Sequence, residues 1–239
     1  MRRCHGQTDM IPKIISVCNL KGGAGKSTIA VNIACAIERR HNGPCVLVDA
    51  DKQATATIWA ESGKLTVRVL GKVLQEAKPE DRYPGMLWIT QIKGLAEKND
   101  FIVIDLPPGL RYSLAAVTAV SDLVLIPVNP SGIDFHSTSS FIDLIQKSRE
   151  VRGSTKPECL IVPNRLDRRT TIAQKLSLYE QFGEPIAPPI GMRTAFAYAF
   201  DHGQWIGDFA PNSVAHREIQ QLLEHITNGA RPVEGEVSA

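Results

Sequence analysis

Short runs of consecutive apolar residues recur along the chain, and longer mixed segments separate them. A run in which nearly every position is apolar indicates a strand covered on both faces, as in a parallel sheet. These runs predict strands at residues 13–18, 45–50, 101–106, 123–128 and 159–163, with a last short strand near 185–189.

The segments between these runs have helical patterns, which predict helices at 27–40, 53–61, 86–98, 113–120, 134–149, 170–182, 194–201 and 213–227. Alternation of strand and helix predicts one doubly wound α/β domain with a mostly parallel sheet. We expect this domain to span residues 13–228, after an N-terminal extension at 1–12 and before a flexible tail at 229–239. Between residues 62 and 85 the pattern is weak, with strand character only at 65–70.

Composition and charge set few limits on function. The chain has 239 residues, of which 43% are hydrophobic and 22% charged, as in an ordinary globular protein. A net charge of +2 is too small to identify a nucleic-acid-binding protein, so any DNA contact must come from a local patch. No window approaches the length of a transmembrane span and no secretory signal is evident, so we expect a cytoplasmic protein.

Five cysteines occur, an odd number, and no two form a C-x-x-C motif. Cys18, Cys45 and Cys159 lie in or beside the predicted strands, and Cys35 lies in the first predicted helix. We therefore expect buried, reduced thiols rather than disulfides or a metal site.

Residues 21–28, Lys-Gly-Gly-Ala-Gly-Lys-Ser-Thr, directly follow the first predicted strand. Glycines let successive backbone N–H groups point inward at phosphate oxygens, and the helix that follows presents its positive end to the same anion. Lys26 supplies a charge for the outer phosphates, and the Ser27 hydroxyl is placed to bind Mg²⁺. The predicted phosphate cradle consists of Gly22, Gly23, Ala24, Gly25, Lys26, Ser27 and Thr28.

The loop departs from the usual P-loop pattern, because Leu20 stands where that pattern has glycine and a second lysine, Lys21, begins the loop. Lys-Gly-Gly-x-Gly-Lys-[Ser/Thr] resembles the deviant Walker A motif of the ParA/MinD class of P-loop ATPases. The resemblance extends from about Lys13 to Ile226. It implies ATP or ADP and Mg²⁺ as cofactors, and an ATP-dependent sandwich homodimer. It also implies that Lys21 acts in catalysis by reaching the nucleotide bound to the partner.

Two aspartates follow apolar strands beside this loop. Asp105 ends the run Phe-Ile-Val-Ile-Asp, which is the Walker B pattern, and its carboxylate can hold the magnesium shell. The following Leu-Pro-Pro-Gly resembles the class's switch segment, in which Gly109 would turn the backbone toward the γ-phosphate.

The second aspartate belongs to Asp-Ala-Asp-Lys-Gln at residues 49–53, which resembles the class's Asp-x-Asp-Pro-Gln element. Asp51 is the candidate that orients the attacking water and touches the metal shell. Lys52 replaces the usual proline, which puts the exact path of the loop in doubt. Asp49 is expected to have a structural role, or to support the metal site without binding the metal directly.

Further positions match the class more loosely. Asn164 ends a predicted strand where the class has an adenine-contacting asparagine, and a plain turn asparagine is an equal alternative. By the same resemblance Pro188 and Pro189 would border the base. Asp134, in the segment Asn-Pro-Ser-Gly-Ile-Asp, is interpreted best as a helix N-cap.

Basic residues in the C-terminal part form a candidate DNA surface: Arg165, Arg168, Arg169, Lys175, Arg193 and Arg217. Taken alone, such a cluster is interpreted best as a solvated charged face. The class resemblance favours non-specific contacts to DNA phosphates instead.

The function predicted is that of a small partition ATPase, which binds DNA as an ATP dimer and hydrolyses ATP when a ParB-like or adaptor partner stimulates it. We expect the chain to lack the N-terminal helix-turn-helix domain of larger relatives and to be associated with the nucleoid. The last predicted helix has mixed charge and a core-type apolar stripe, which argues against a membrane partner. A positioning ATPase for non-DNA cargo and, less favoured by Lys21, a metabolic P-loop ligase remain as alternatives.

Overall fold

The structure is a computed structural model that describes residues 11–41, 43–75, 78, 80, 82, 85–111, 113–167 and 177–228. Within these residues the strands are β1 (Ile14–Val17), β2 (Cys45–Asp49), β3 (Arg68–Gly71), β4 (Phe101–Asp105), β5 (Leu123–Val128) and β6 (Glu158–Pro163). They form one parallel sheet in the order β3-β2-β4-β1-β5-β6. The predicted α/β class and parallel sheet are confirmed.

The helices defined within the same residues are α1 (Lys26–His41), α2 (Thr55–Ala60), α3 (Met86–Ala96), α4 (Leu114–Val120), α5 (Gly132–Arg152), α6 (Thr194–Asp201), α7 (Ile206–Phe209) and α8 (Val214–Thr227). Most match predicted helices to within a few residues, whereas the short helix α7 was not predicted. Much of the predicted helix at 170–182 lies outside the described residues, although 177–180 are helical.

Two hydrophobic clusters cover the two faces of the sheet, as the doubly wound class requires. Helices α1 and α8 pack in one cluster, together with inward-facing residues such as Val17 and Leu47. Helices α3, α4 and α5 contribute to the other, which includes Ile104 and Ile126. Because both faces are covered, the residues of all strands except the edge strand β3 are almost all buried, which explains the continuous apolar runs in the sequence.

The strand predicted near 185–189 is not formed, and the sixth strand is β3 instead. The segment follows the β6 edge, where Ala187 N–H donates to the Ile161 carbonyl at 2.8 Å, but only single bridges form. Pro185, Pro188 and Pro189 interrupt it, because proline has no N–H to donate to a ladder. On the opposite edge, β3 forms at Arg68–Gly71, beside β2, where the sequence had shown only weak strand character.

Helix α5 begins differently from the prediction, because its N-cap is Ser131 and not Asp134. The Ser131 Oγ accepts a hydrogen bond from the Asp134 N–H at 3.2 Å and donates one to Asp134 Oδ2 at 2.7 Å. Asp134 is therefore the third helical residue, in a Ser-x-x-Asp capping pattern that the sequence already carried. Its negative charge also lies favourably at the positive end of the helix.

The C-terminal helix α8 buries its apolar stripe against the core. Ile219, Leu222, Leu223 and Ile226 are all at most 3% exposed, as the core-type pattern predicted. Trp59 is also a core residue, whose Nε1–H donates to the Gln204 carbonyl at 3.0 Å. Among the described cysteines, Cys18, Cys35, Cys45 and Cys159 are free and buried, so the predicted burial is confirmed for these four.

Candidate nucleotide-binding site

The glycine-rich loop joins β1 to α1 at the carboxyl edge of the sheet. Gly23 and Gly25 have φ angles of 75° and 90°, a left-handed conformation that glycine adopts without steric cost. A Cβ on Gly25 would lie 2.2 Å from Asn164 Nδ2, so the position also needs glycine for space. Helix α1 then begins at once, with the Ile29 N–H donating to the Gly25 carbonyl at 3.0 Å.

A cavity of about 550 Å³ opens over this loop. Most residues of the predicted cradle line it, together with residues from the loops after β2 and β4. The lining comprises Gly22, Gly23, Gly25, Lys26, Ser27, Thr28, Asp51, Lys52, Gln53, Thr55, Leu74, Pro107, Pro108, Leu110 and Arg165. The arrangement matches the general location of ligands in doubly wound folds, beyond the carboxyl ends of the strands.

Lys26 lies in the floor of the cavity and is 7% exposed. Its Nζ donates to the Lys21 carbonyl at 3.1 Å, which holds the side chain across the loop. Burial lowers the pKa of Lys26, whereas the carboxylates of Asp105 and Asp51 act in the opposite direction. A buried cation in a loop of inward-facing N–H groups is suited to bind phosphate.

Asp105 ends β4 next to β1, and its register partner on β2 is Asp49. Within the described residues neither Asp105 carboxylate oxygen has a hydrogen-bond partner, although both are buried. Burial raises the Asp105 pKa to about 7. The nearby charges of Asp49 and Asp51 add to this rise. The Ser27 hydroxyl and Lys26 favour the charged carboxylate and oppose the rise only in part. A buried carboxylate without donors, beside a hydroxyl and a phosphate loop, fits a magnesium ion.

Ser27, Asp105 and Asp51 are the residues that would hold that magnesium shell. Among the described residues no group of three or more His, Cys, Asp or Glu side chains could hold a metal. Magnesium commonly takes one or two carboxylates and completes its shell with water and phosphate oxygens, so this donor set is adequate. When bound, Mg²⁺ neutralises charge on the β- and γ-phosphates.

The two aspartates after β2 have different surroundings. Asp49 is buried, and its Oδ2 accepts hydrogen bonds from the Thr57 N–H at 2.9 Å and the Thr57 Oγ at 2.8 Å. It therefore links β2 to α2, which confirms the structural role. Asp51 lines the cavity, and its Oδ1 accepts from the Gln53 N–H at 2.9 Å. Its second oxygen can meet a water molecule over the loop.

The segment after β4 forms the far wall of the cavity. Gly109 has a φ of 79°, and its N–H donates to the Leu20 carbonyl at 3.0 Å. Pro107 and Pro108 line the cavity just before this turn. The predicted backbone turn at Gly109 is therefore present, and its hydrogen bond joins it to the residue directly before the P-loop.

Asn164 braces the P-loop, a role that the sequence did not indicate. Its Nδ2 donates to the Ala24 carbonyl at 2.7 Å, and its own N–H donates to the Val128 carbonyl at 2.9 Å. The residue is 5% exposed. Only one of the two amide hydrogens is in use, so the other hydrogen and Oδ1 are the groups that a bound adenine could engage. The predicted adenine contact thus stays a prediction.

Lys21 is paired within its own chain. Its Nζ forms an ion pair with Asp134 Oδ1, where the lysine side chain is 35% exposed and the aspartate side chain 3%. The Asp134 carboxylate is therefore shared between Lys21 and the N-cap Ser131. This ion pair could not be predicted from the sequence, because 112 residues separate Lys21 from Asp134. Only the fold brings the end of β1 and the start of α5 together.

Among the described residues, the predicted basic residues line two different cavities. Arg165 lines the nucleotide cavity, whereas Arg193 donates to Glu218 Oε1 at 2.6 Å beside a second cavity of about 270 Å³, which Arg217 also lines. Pro188 lines neither cavity, although its neighbour Pro189 borders the second one. The remaining three, Arg168, Arg169 and Lys175, lie outside the described residues.

Fold and site together define a P-loop nucleotide-binding protein of the doubly wound α/β class. Residues 15–206 match the family described as the CobQ/CobB/MinD/ParA nucleotide binding domain. The chain belongs to this family and is a ParA/MinD-class ATPase, with ATP or ADP and Mg²⁺ as its cofactors. Among the described residues no helix is both long and apolar enough to cross a membrane.

The chain is similar to named relatives over nearly their whole length. It is 27% identical to the maintenance of carboxysome distribution protein A of Halothiobacillus neapolitanus, over 89% of this chain and 95% of that protein. It is also 27% identical to the chromosome-partitioning ATPase Soj of Thermus thermophilus, covering 89% of this chain and 94% of the relative. The fold resembles the septum site-determining protein MinD of Pyrococcus horikoshii in complex with Mg-ADP, with a TM-score of 0.69, 19% identity and coverage of 90% and 95%.

Proposed function

We propose that the chain is an ATP-driven partition ATPase of the cytoplasm, associated with the nucleoid. Two copies would enclose two ATP molecules, and the dimer would bind DNA without sequence preference. A ParB-like or adaptor partner would then stimulate hydrolysis and separate the subunits. The observation that carries the proposal is Lys21, a second lysine at the start of a complete phosphate loop.

The side chains around the cavity suit hydrolysis that depends on positioning. Lys26 and the loop N–H groups would hold the phosphates. Asp51 lines the cavity, and its Oδ2 accepts no hydrogen bond from the described residues, so it could orient water in line with the γ-phosphate. Lys21 of the second subunit would add positive charge where it develops in the transition state. Because that charge arrives only in the dimer, hydrolysis by the monomer should be slow.

Three variants test this mechanism by nucleotide binding and turnover. Lys26→Ala should abolish nucleotide binding, since it removes the buried phosphate cation. Lys21→Ala and Asp51→Ala should spare ATP binding but lower turnover by about 10²-fold or more, and Lys21→Ala should also weaken the ATP-dependent dimer. Sedimentation with a non-hydrolysable ATP analogue measures that dimer. Full turnover in Lys21→Ala would contradict the assignment of this lysine.

Arg217 is the described residue best placed for the proposed DNA contact. It is exposed at the start of α8, and its Nη1 donates to the Asn212 carbonyl at 3.0 Å. No carboxylate of the described residues lies within ion-pair distance of it, whereas the Arg193 charge is already balanced by Glu218. The proposed surface also includes Arg168, Arg169 and Lys175.

Gel shifts on random duplex DNA with ADP, ATP or a non-hydrolysable analogue test the DNA step. We expect binding only with the triphosphates, and an affinity that falls steeply with salt because the contacts go to phosphates. Arg217→Gln should weaken binding for every DNA sequence alike. An ATP dimer that leaves random DNA unbound at low salt would contradict the proposal.

A protein compartment is the second candidate cargo, because the chain resembles a carboxysome distribution protein over 95% of that protein's length. ATP binding, dimerisation and DNA binding would be common to both versions, and only the partner would differ. Pull-down with the ATP-bound dimer distinguishes them: a centromere-binding protein supports DNA cargo, and a shell-associated adaptor supports a compartment.

A further inference from the structure

Arg165 lies between two anchored residues at the end of β6. On one side, Asn164 is held by its N–H to Val128 and by its amide to the Ala24 carbonyl of the P-loop. On the other, the Leu166 N–H donates to the Ile190 carbonyl at 3.1 Å. Arg165 itself has a φ of 54°, in the left-handed region that side-chain-bearing residues seldom adopt. The chain thus makes a sharp turn at this arginine.

Arg165, at this turn, is part of the wall of the nucleotide cavity. It lines the same space as Gly22, Gly25 and Lys26. Strained backbone of this kind is found preferentially at binding and catalytic sites, where the surrounding structure maintains it. The Asn164 brace provides such support here, since it joins the turn directly to the phosphate loop.

The charge of Arg165 is also unmatched. Among the described residues it forms no ion pair, whereas Arg39, Arg149 and Arg193 each have a carboxylate partner. Asp51 is the acidic residue that shares its cavity, and it faces the Gln53 N–H. An arginine that lines a cavity for a polyanion and has no ion-pair partner among the described residues is suited to charge-assisted hydrogen bonds to phosphate.

We propose that Arg165 binds the polyphosphate of the nucleotide held by its own subunit and does not belong to the DNA surface. The inference rests on nucleotide binding alone and is independent of the proposed cargo. Arg165 would supply a cation from the β6 side of the cavity, opposite the loops after β2 and β4. Lys26 supplies the cation of the cavity floor.

The test compares variants that separate charge from backbone shape. Arg165→Asn removes the cation but keeps a residue that accepts the left-handed conformation, and Arg165→Lys keeps the cation. Arg40→Gln is the matched control, because Arg40 is exposed at the far end of α1, about 20 Å from Lys26 at 1.5 Å per residue. Fluorescent ADP and a non-hydrolysable ATP analogue, each with Mg²⁺, report affinity, and thermal unfolding reports folding.

Arg165→Asn should lower the affinity for both nucleotides about tenfold. The affinities of Arg165→Lys should lie much closer to those of the unmodified chain, and those of Arg40→Gln should not change. At saturating ATP analogue the Arg165→Asn dimer should still bind random DNA. Unaltered nucleotide affinity in Arg165→Asn would overturn the inference, as would equal losses in the Asn and Lys variants. So would lost DNA binding with nucleotide affinity intact. Failure of the unmodified dimer to bind DNA would instead contradict the proposed function.

Discussion

Residues of the phosphate loop have different structural roles. Gly22 and Gly25 differ in whether the position requires glycine for steric reasons. A Cβ on Gly22 would meet no atom within 4 Å, and this glycine has no left-handed φ. Gly25 has a φ of 90° and lies against the Asn164 amide. The sequence shows both simply as glycines of the motif, and only the fold shows which one is sterically required.

Gly25→Ala should therefore destabilise the protein, whereas Gly22→Ala should not. The new methyl group strains the backbone and displaces the Asn164 amide from the Ala24 carbonyl, for a cost of about 2–4 kcal/mol in the free energy of unfolding. Denaturant titration without nucleotide measures this cost. A Gly25→Ala protein as stable as Gly22→Ala would contradict the role given to Asn164 as a brace.

At the scale of helices and strands, the α8 stripe illustrates a prediction that succeeded. Leu222→Ala should lower the free energy of unfolding by about 2–5 kcal/mol, because Leu222 is fully buried. Its neighbour Gln221 is exposed, so Gln221→Ala should change stability by less than about 0.5 kcal/mol. Denaturant titration compares the two. Similar stabilities would mean that the stripe does not pack on the core in solution.

Most elements were predictable because each apolar run marks a strand buried on both faces. The P-loop, Asp51 and Asp105 could also be placed, since carboxyl ends of parallel strands meet at one edge of the sheet. The exceptions have physical causes. Prolines prevent the segment near 185–189 from forming a ladder, and β3 is an edge strand with little apolar signal.

Contacts between distant segments could not be predicted from the sequence. The Asn164 brace joins residues 140 apart along the chain, and the left-handed turn at Arg165 is flanked by anchors to three other segments of the chain. Local patterns carry no information on either. The N-cap of α5 could have been predicted correctly, because the Ser-x-x-Asp pattern at Ser131 is visible in the sequence. The prediction named the aspartate of this pattern as the cap, whereas the serine is the cap.

For the whole molecule, the decisive equilibrium is between a single subunit and the proposed ATP dimer. In the single chain Lys21 is held by Asp134, whose carboxylate is fixed at the start of α5 by Ser131. A lysine that must reach a second subunit has to leave this partner first. In the proposed dimer, the ion pair would therefore oppose association, by an amount that solvent reduces because the lysine side chain is about one-third exposed.

Asp134→Asn should consequently shift the equilibrium toward the dimer. Removing a partly screened ion pair of roughly 0.5–1 kcal/mol should lower the ATP-analogue concentration needed for half-maximal dimerisation about two- to fivefold. Asp143→Asn is the matched control, since Asp143 is exposed on the same helix. Sedimentation velocity across an analogue titration measures both. Weaker dimerisation of Asp134→Asn, at unchanged nucleotide affinity and folding, would mean that Asp134 supports Lys21 in the dimer and does not restrain it.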